Sequence, residues 1–235
     1  MSDNFNDILQ EIEKRFIEIK KLLFVVHKLE KRKNRKIVHH PSSEFLWGNQ
    51  LDTLKGLIFI QLYGCIEYAT SSSIRRCDEI ITKQNLKLSD YKYSLFTRFL
   101  NGKFDTLHNV GREKKWLKRF EFMHEINQDI DITKGSCDNL EIPTDGKNIR
   151  YAQLKSIWDT FGINSDVLPS PALGRRLGDV VDNRNNIAHG NISPSEVGKS
   201  QSYRDMQTRS DEIKQICEHI IKSFSNYIQN KEYLK

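Results

Sequence analysis

Ser170-Pro171-Ala172-Leu173-Gly174-Arg175-Arg176-Leu177-Gly178-Asp179-Val180-Val181-Asp182-Asn183-Arg184-Asn185-Asn186-Ile187-Ala188-His189-Gly190 has the periodicity of a helix buried along one face. Leu173, Leu177, Val180 or Val181, and then Arg184 follow one line of steps of four, three and four. Pro171 suits the first helical position, and Gly190 is a natural left-handed stop. The spacing predicts a helix over 171–189. The same signal recurs along the chain, and that recurrence sets the fold class.

Upstream, Phe5, Ile8, Leu9, Ile12, Phe16, Ile19, Leu22, Leu23 and Val26 recur at three- and four-residue steps behind Asn4, which predicts an amphipathic helix over 5–27. Pro41-Ser42-Ser43 then reads as a break before a long helical pattern from about Leu51 to Ile81, with Gly56, Gly64 and Ser71 to Ser73 as places to kink. Ser89 is placed to cap a helix running through Tyr93, Phe96, Phe99, Leu100 and Phe104. Another helix carries Trp116, Leu117, Phe120, Met123 and Ile126, and both read as core builders. Periodicity is lost across 127–150, a loop and the one internal boundary in the chain. It returns at Leu154, Ile157, Trp158 and Phe161 and stops at Gly162. Ser193-Pro194-Ser195-Glu196 reads as a capping box for a last helix bearing Ile213, Ile216, Ile220, Phe224 and Tyr227. With no internal repeat and no run of strand-like alternation, the expected fold is all-α, one domain over 1–235 in which 1–44 form an N-terminal helix and basic segment.

A chain of 235 residues, 37% apolar and 10% aromatic, has ample material for a packed core. Its formal charge of +6 is concentrated in two runs. From Lys28 to Lys36 six cations, Lys31, Arg32, Arg35 and Lys36 among them, face Glu30 alone, and from Arg112 to Arg119 five face Glu113. Each run is either a solvated face or a contact for a polyanion. Cys65, Cys77, Cys137 and Cys217 lack zinc spacing and a Cys-x-x-Cys pair, so neither a metal site nor a disulfide framework is indicated and reduced thiols are expected. Met1-Ser2-Asp3-Asn4 lacks the basic and apolar regions of a signal peptide, which favours the cytoplasm. The most apolar stretch, Gly56 to Ile66, is too short to span a bilayer and reads as a buried helix, so no membrane association is expected.

Arg184 occupies a slot on an apolar stripe. Either its stem packs while the head reaches water, or the guanidinium faces a partner, a cleft or a subunit interface, because an isolated buried charge is too costly to keep. His189 lies five residues on, about 140° round the helix, so the two side chains flank the helix end. It is either a C-terminal capping histidine, placed where exposed carbonyls attract a cation, or the second member of a functional pair with Arg184.

Arg184-Asn185 followed by His189 resembles the R-x(4–6)-H motif of the HEPN superfamily. The run Leu177 to Gly190 is similar to the MAE-like and RiboL-PSP-like branch of HEPN nucleases. Leu62-Tyr63-Gly64-Cys65-Ile66-Glu67, and Asp145-Gly146-Lys147-Asn148-Ile149-Arg150 leading through Leu154 to Phe161-Gly162-Ile163, resemble that branch too, so the likeness covers roughly residues 50 to 200. The resemblance implies an antiparallel helical bundle with additional helices, forming a two-fold dimer whose motifs face a shared cleft. It implies a metal-independent endoribonuclease in which attack by the ribose 2′-oxygen leaves a 2′,3′-cyclic phosphate and a 5′-hydroxyl, in a toxin, stress or phage-defence setting. His189 then acts as general base or acid, Arg184 holds the scissile phosphate, and Asn185 orients the phosphate or the imidazole. No cofactor is implied; the expected partners are RNA, a second copy of the chain, and an antitoxin or regulatory protein. Lys31, Arg32, Arg35 and Lys36, with the 112–119 run, become RNA-guiding candidates, Trp116 either stacking on a base or packing in the core. Glu67 interrupts the most apolar part of the second long helix, so it either faces Arg184 or the cleft or sits on the helix surface, and it stays outside the catalytic set. The alternative is a non-catalytic HEPN module that binds RNA or protein.

Overall fold

A computed structural model describes residues 3–34, 41–132, 142–144 and 147–235, residues 3, 32–34 and 41–47 by their backbone alone. Among the described residues the chain is helical with no strand. Its helices are α1 (Asn6–Asn34), α2 (Pro41–Thr82), α3 (Tyr93–Phe99), α4 (Asn101–Asn109), α5 (Lys115–Asn127), α6 (Tyr151–Phe161), α7 (Leu173–Ala188), α8 (Pro194–Lys199) and α9 (Tyr203–Gln229).

The long helix α2 is the spine, packed against α1, α7, α8 and α9. Ion pairs fix the helix directions. Asp7 at the start of α1 meets Arg76 near the end of α2 at 2.7 Å, and Glu30 near the end of α1 meets Lys55 of α2, also at 2.7 Å. The two helices are therefore antiparallel. Lys214 reaches Glu13 at 2.8 Å while the Tyr203 N–H donates to Glu30, so α9 runs antiparallel to α1; Arg176 to Glu212 and Arg209 to Asp179 set α7 antiparallel to α9.

Hydrophobic spacing accounts for what is inside. Phe5, Ile8, Ile12, Phe16, Ile19, Leu23 and Val26 of the first stripe are buried, as are Leu173, Leu177, Val180 and Val181 of α7. They join Ile58, Leu62 and Ile66 of α2 and Ile213, Ile216, Ile220 and Phe224 of α9 in one cluster. Each such side chain contributes about 1.5–3 kcal/mol by leaving water.

Several expectations are corrected. Helix α1 continues through the start of the basic run to Asn34, and α2 begins at Pro41 rather than near Leu51, since Pro is as well suited to a helix's first turn as to a break. Gly56, Gly64 and Ser71 to Ser73 all lie within the single helix α2; Gly56 lies where α8 crosses, and a Cβ there would stand 2.0 Å from the Pro194 carbonyl oxygen. Ser89 caps no helix: it sits in a 3-10 turn and bonds Asp129 at 2.7 Å, and the helix expected from it is split into α3 and α4 at Leu100. Pro171 lies in a turn, α7 starting two residues later. Ser193 caps only the short α8, and α9 has its own box, in which Ser202 and Asp205 exchange side-chain and backbone hydrogen bonds. The largest departure is α5, where Trp116 is 76% and Phe120 70% exposed with Leu117 and Met123 also outside, while Phe122 and Ile126 pack inward. Its periodicity marks an apolar face that nothing among the described residues covers. Cys65, Cys77 and Cys217 are buried free thiols, and Cys137 lies outside the described residues. No helix among those described is long and apolar enough to cross a membrane.

Candidate functional site

The apolar stripe of α7 settles onto the core, and the next position on that stripe, Arg184, is carried over α2. Its guanidinium lies 4.6 Å from the centre of the Tyr63 ring, a cation–π distance. Arg184 Nη1 donates to Asn185 Oδ1 at 3.0 Å and to Asn148 Oδ1 at 3.2 Å. Asn148 belongs to the segment before α6. That segment is pinned by buried Ile149 and by an ion pair between Arg150 and Asp182 of α7. Tyr63, 2% exposed, completes the group: its hydroxyl donates to Asn148 Oδ1 at 3.1 Å and accepts from the Ile149 N–H at 3.1 Å.

The electrostatics of Arg184 are unusual within this chain. Arg15, Arg76, Arg98, Arg150, Arg176 and Arg209, the other described arginines at least partly withdrawn from solvent, each meet a carboxylate. Arg184 has no ion pair among the described residues; its contacts are two amide oxygens and an aromatic face. Neutral ligands orient a guanidinium without cancelling its charge, which stays available to an incoming anion. Burial pushes the Tyr63 hydroxyl up to about 12, opposed by the Ile149 N–H and assisted by the Glu67 carboxylate one turn along, so at neutral pH it is a donor. Glu67 itself is exposed.

His189 is the C-cap of α7. Its N–H bonds the Asn185 carbonyl at 2.9 Å, and Gly190 ends the helix at φ +71°, as its sequence position predicts. The backbone is thus fixed one turn beyond Arg184. The imidazole is exposed and makes no hydrogen bond with any described residue. Arg184 and Asn185 are in contact, and His189 stands beside them at the helix end without touching either side chain by a hydrogen bond.

Of the four N-terminal cations, Lys31 is exposed on the last turns of α1. Arg32 lies in that helix, but its side chain, like the whole of Arg35 and Lys36, falls outside the described residues, as does Asp145-Gly146. Glu30, the acid within that run, is spent on Lys55 and Tyr203 inside the bundle.

Tyr63 and Asn148 carry no role in the sequence reading, although both lie in the segments that resemble the HEPN branch. A hydroxyl-bearing ring inside the most apolar stretch of α2 was the one available signal. Among the described residues no cluster of three or more His, Cys, Asp or Glu side chains is arranged to hold a metal. A surface groove of about 500 Å3 lies between α3 and α6 along Ser94, Thr97, Lys155 and Asp159, and shares no residue with this group. What sets the Arg184 group apart is a cation with no ion pair among the described residues, held by two amide oxygens.

Neither a curated protein nor a solved structure matches the chain. A family model described as HEPN_MAE_28990:/-like HEPN matches residues 5–233, a span that takes in α1 through α9 and every residue of the Arg184 group. The chain therefore belongs to the HEPN superfamily, in its MAE_28990-like branch.

Proposed function

We propose that the protein is a metal-independent endoribonuclease. The observation that carries this reading is Arg184, a partly buried cation oriented by Asn148, Asn185 and Tyr63 yet left without a carboxylate among the described residues. A phosphodiester is the anion that such a fork holds, through its non-bridging oxygens. In the reaction the ribose 2′-oxygen forms a bond to phosphorus as the bond to the 5′-oxygen breaks. One proton leaves the 2′-hydroxyl and one arrives on the departing 5′-oxygen, giving a 2′,3′-cyclic phosphate and a 5′-hydroxyl. His189 takes or gives one of these protons, and Arg184 offsets the charge that grows on the phosphoryl oxygens. The nucleophile belongs to the substrate, so no metal is needed to generate it.

RNA is held by sequence-independent contacts at the end of α1, where Lys31 is exposed, and along α5, where Arg119 lies 5.1 Å from the Trp116 ring and Phe120 stacks on His124. The working unit is a two-fold dimer in which a second imidazole supplies the other proton transfer; Leu57 and Ile60, exposed on α2 just before Tyr63, supply apolar contact for it. The setting is cytoplasmic, as a toxin or a stress or phage-defence effector, under an antitoxin or other regulatory partner.

The exposed imidazole of His189, which no described residue holds by a hydrogen bond, favours a second reading, a non-catalytic RNA-binding or protein-interaction module. Single-turnover cleavage by wild type and His189→Ala, with urea midpoints for both, separates the two. Loss of cleavage at unchanged stability supports the nuclease; absence of cleavage by a folded wild-type dimer across varied RNAs supports the module.

A further inference from the structure

A guanidinium carries donors and no acceptor, so the amide atom facing Arg184 Nη1 must be oxygen in both asparagines. The Tyr63 hydroxyl points at the same Asn148 oxygen, its own lone pair engaged by the Ile149 N–H. Both amides therefore turn their acceptors inward onto Arg184 and leave their Nδ2 groups, donors only, without a partner among the described residues. We infer that Asn148 is a phosphate ligand beside Arg184, its Nδ2 donating to a non-bridging oxygen of the phosphodiester held by Arg184, and that Tyr63 is the positioning residue that fixes that amide. This inference rests on the nuclease reading for its substrate.

The arrangement is preorganised. Asn148 is held from three sides: by Tyr63 of α2, by Arg184 of α7, and through its neighbours Ile149 and Arg150, which are buried in the core and paired with Asp182 respectively. Donors fixed before the substrate arrives need no reorganisation as charge builds, which is the condition under which they contribute most. A neutral donor is also required here. A carboxylate at 148 would accept from Tyr63 and Arg184 equally well, but would repel the phosphate and neutralise the cation meant for it.

Asn148→Asp is therefore the decisive variant, compared with Asn148→Ala, Tyr63→Phe and the Tyr63→Phe/Asn148→Ala double variant of the full chain in EDTA. Two quantities are read: the single-turnover rate on an RNA oligonucleotide, and the Kd for a fluorescent 2′-O-methyl oligonucleotide, which binds but cannot be cut. Asn148→Ala is expected to lower the rate by roughly ten- to a hundredfold, the worth of a hydrogen bond to a charged group. Asn148→Asp should fall further and weaken probe binding while its thermal midpoint is at or above wild type, since the new carboxylate pairs with Arg184. Tyr63→Phe should slow cleavage, and the double variant should be no slower than Asn148→Ala, as befits a residue that works through Asn148. If Asn148→Asp cuts and binds within about twofold of wild type, a factor smaller than one hydrogen bond, the inference is overturned while the nuclease reading stands. If the wild type cuts nothing, the nuclease reading fails, and probe binding by Asn148→Asp alone decides the anion site.

Discussion

Gly56→Ala tests the packing that holds the chain just beyond His189. Gly56 of α2 and Gly198 of α8 face each other so closely that a Cβ on Gly56 would lie 2.0 Å from the Pro194 carbonyl oxygen, and one on Gly198 would lie 1.8 Å from the Asp52 carbonyl oxygen. Ordinary contact begins near 3.4 Å, so a methyl group at either position pushes the two helices apart by more than an ångström. The obstruction is backbone, which no rotamer change relieves. Inside a helix, alanine gains about 1 kcal/mol over glycine from propensity. Overpacking against a rigid neighbour costs about 1–3 kcal/mol, here toward the upper end. The net expectation is a loss of about 1–2 kcal/mol for Gly56→Ala. Gly178, in the interior of α7 with nothing within 4 Å of its Cβ position, supplies the control, and Gly178→Ala should gain up to about 1 kcal/mol. Urea denaturation followed by circular dichroism gives both midpoints. Opposite signs support the described crossing of α2 and α8; a Gly56→Ala midpoint that rises alongside that of Gly178→Ala would refute it. Cleavage should fall with Gly56→Ala as well, because α8 follows the turn Gly190 to Ser193 that ends α7.

Three further outcomes follow from other contacts. Trp116→Ala and Phe120→Ala should each change stability by no more than about 0.5 kcal/mol despite the size of the side chains deleted, because both rings are exposed, and RNA affinity by fluorescence anisotropy should weaken. Lys55→Met strands Glu30 and Asp52, its partners at 2.7 and 3.8 Å; since Glu30 retains some solvent, a loss of about 2 kcal/mol is expected in urea, below the cost of breaking a fully buried pair. The Arg76 guanidinium holds the Asp7 carboxyl below its ordinary value. A depressed carboxylate stabilises the fold above its unfolded pKa and loses that contribution as pH falls through the folded one. The thermal midpoints of wild type and Asp7→Asn should thus differ near neutrality and converge below about pH 4.

Much of the bundle was legible in the sequence because burial follows one face of each long helix. The stripes from Phe5 to Val26, Leu173 to Val181 and Ile213 to Tyr227 are buried as their spacing predicts, apart from Leu9 and Leu22, which are only partly so. Periodicity identifies an apolar face without saying what covers it, which is why α5 read as a core helix. Local signals are also ambiguous when two elements share them: Pro41 suits a break and a helix start alike, and the Ser193 box belongs to α8 because a second box, Ser202 with Asp205, follows nine residues later. At the site, Arg184 was marked by standing on an apolar stripe, and Asn185 by adjacency. Asn148 lies 36 residues before Arg184, and Tyr63 a further 85 residues before Asn148, so their convergence is a tertiary fact that no local pattern encodes.

Product-end analysis of RNA cut by the purified protein in EDTA tests the nuclease reading most directly, with Arg184→Ala alongside. The expected result is 2′,3′-cyclic phosphate and 5′-hydroxyl ends, no cutting at a position whose ribose is 2′-deoxy, and a rate lowered by roughly a hundredfold or more in Arg184→Ala at nearly unchanged stability. Ends carrying 3′-hydroxyl and 5′-phosphate, cutting that tolerates the 2′-deoxy substitution, or an Arg184→Ala variant as fast as wild type would contradict it.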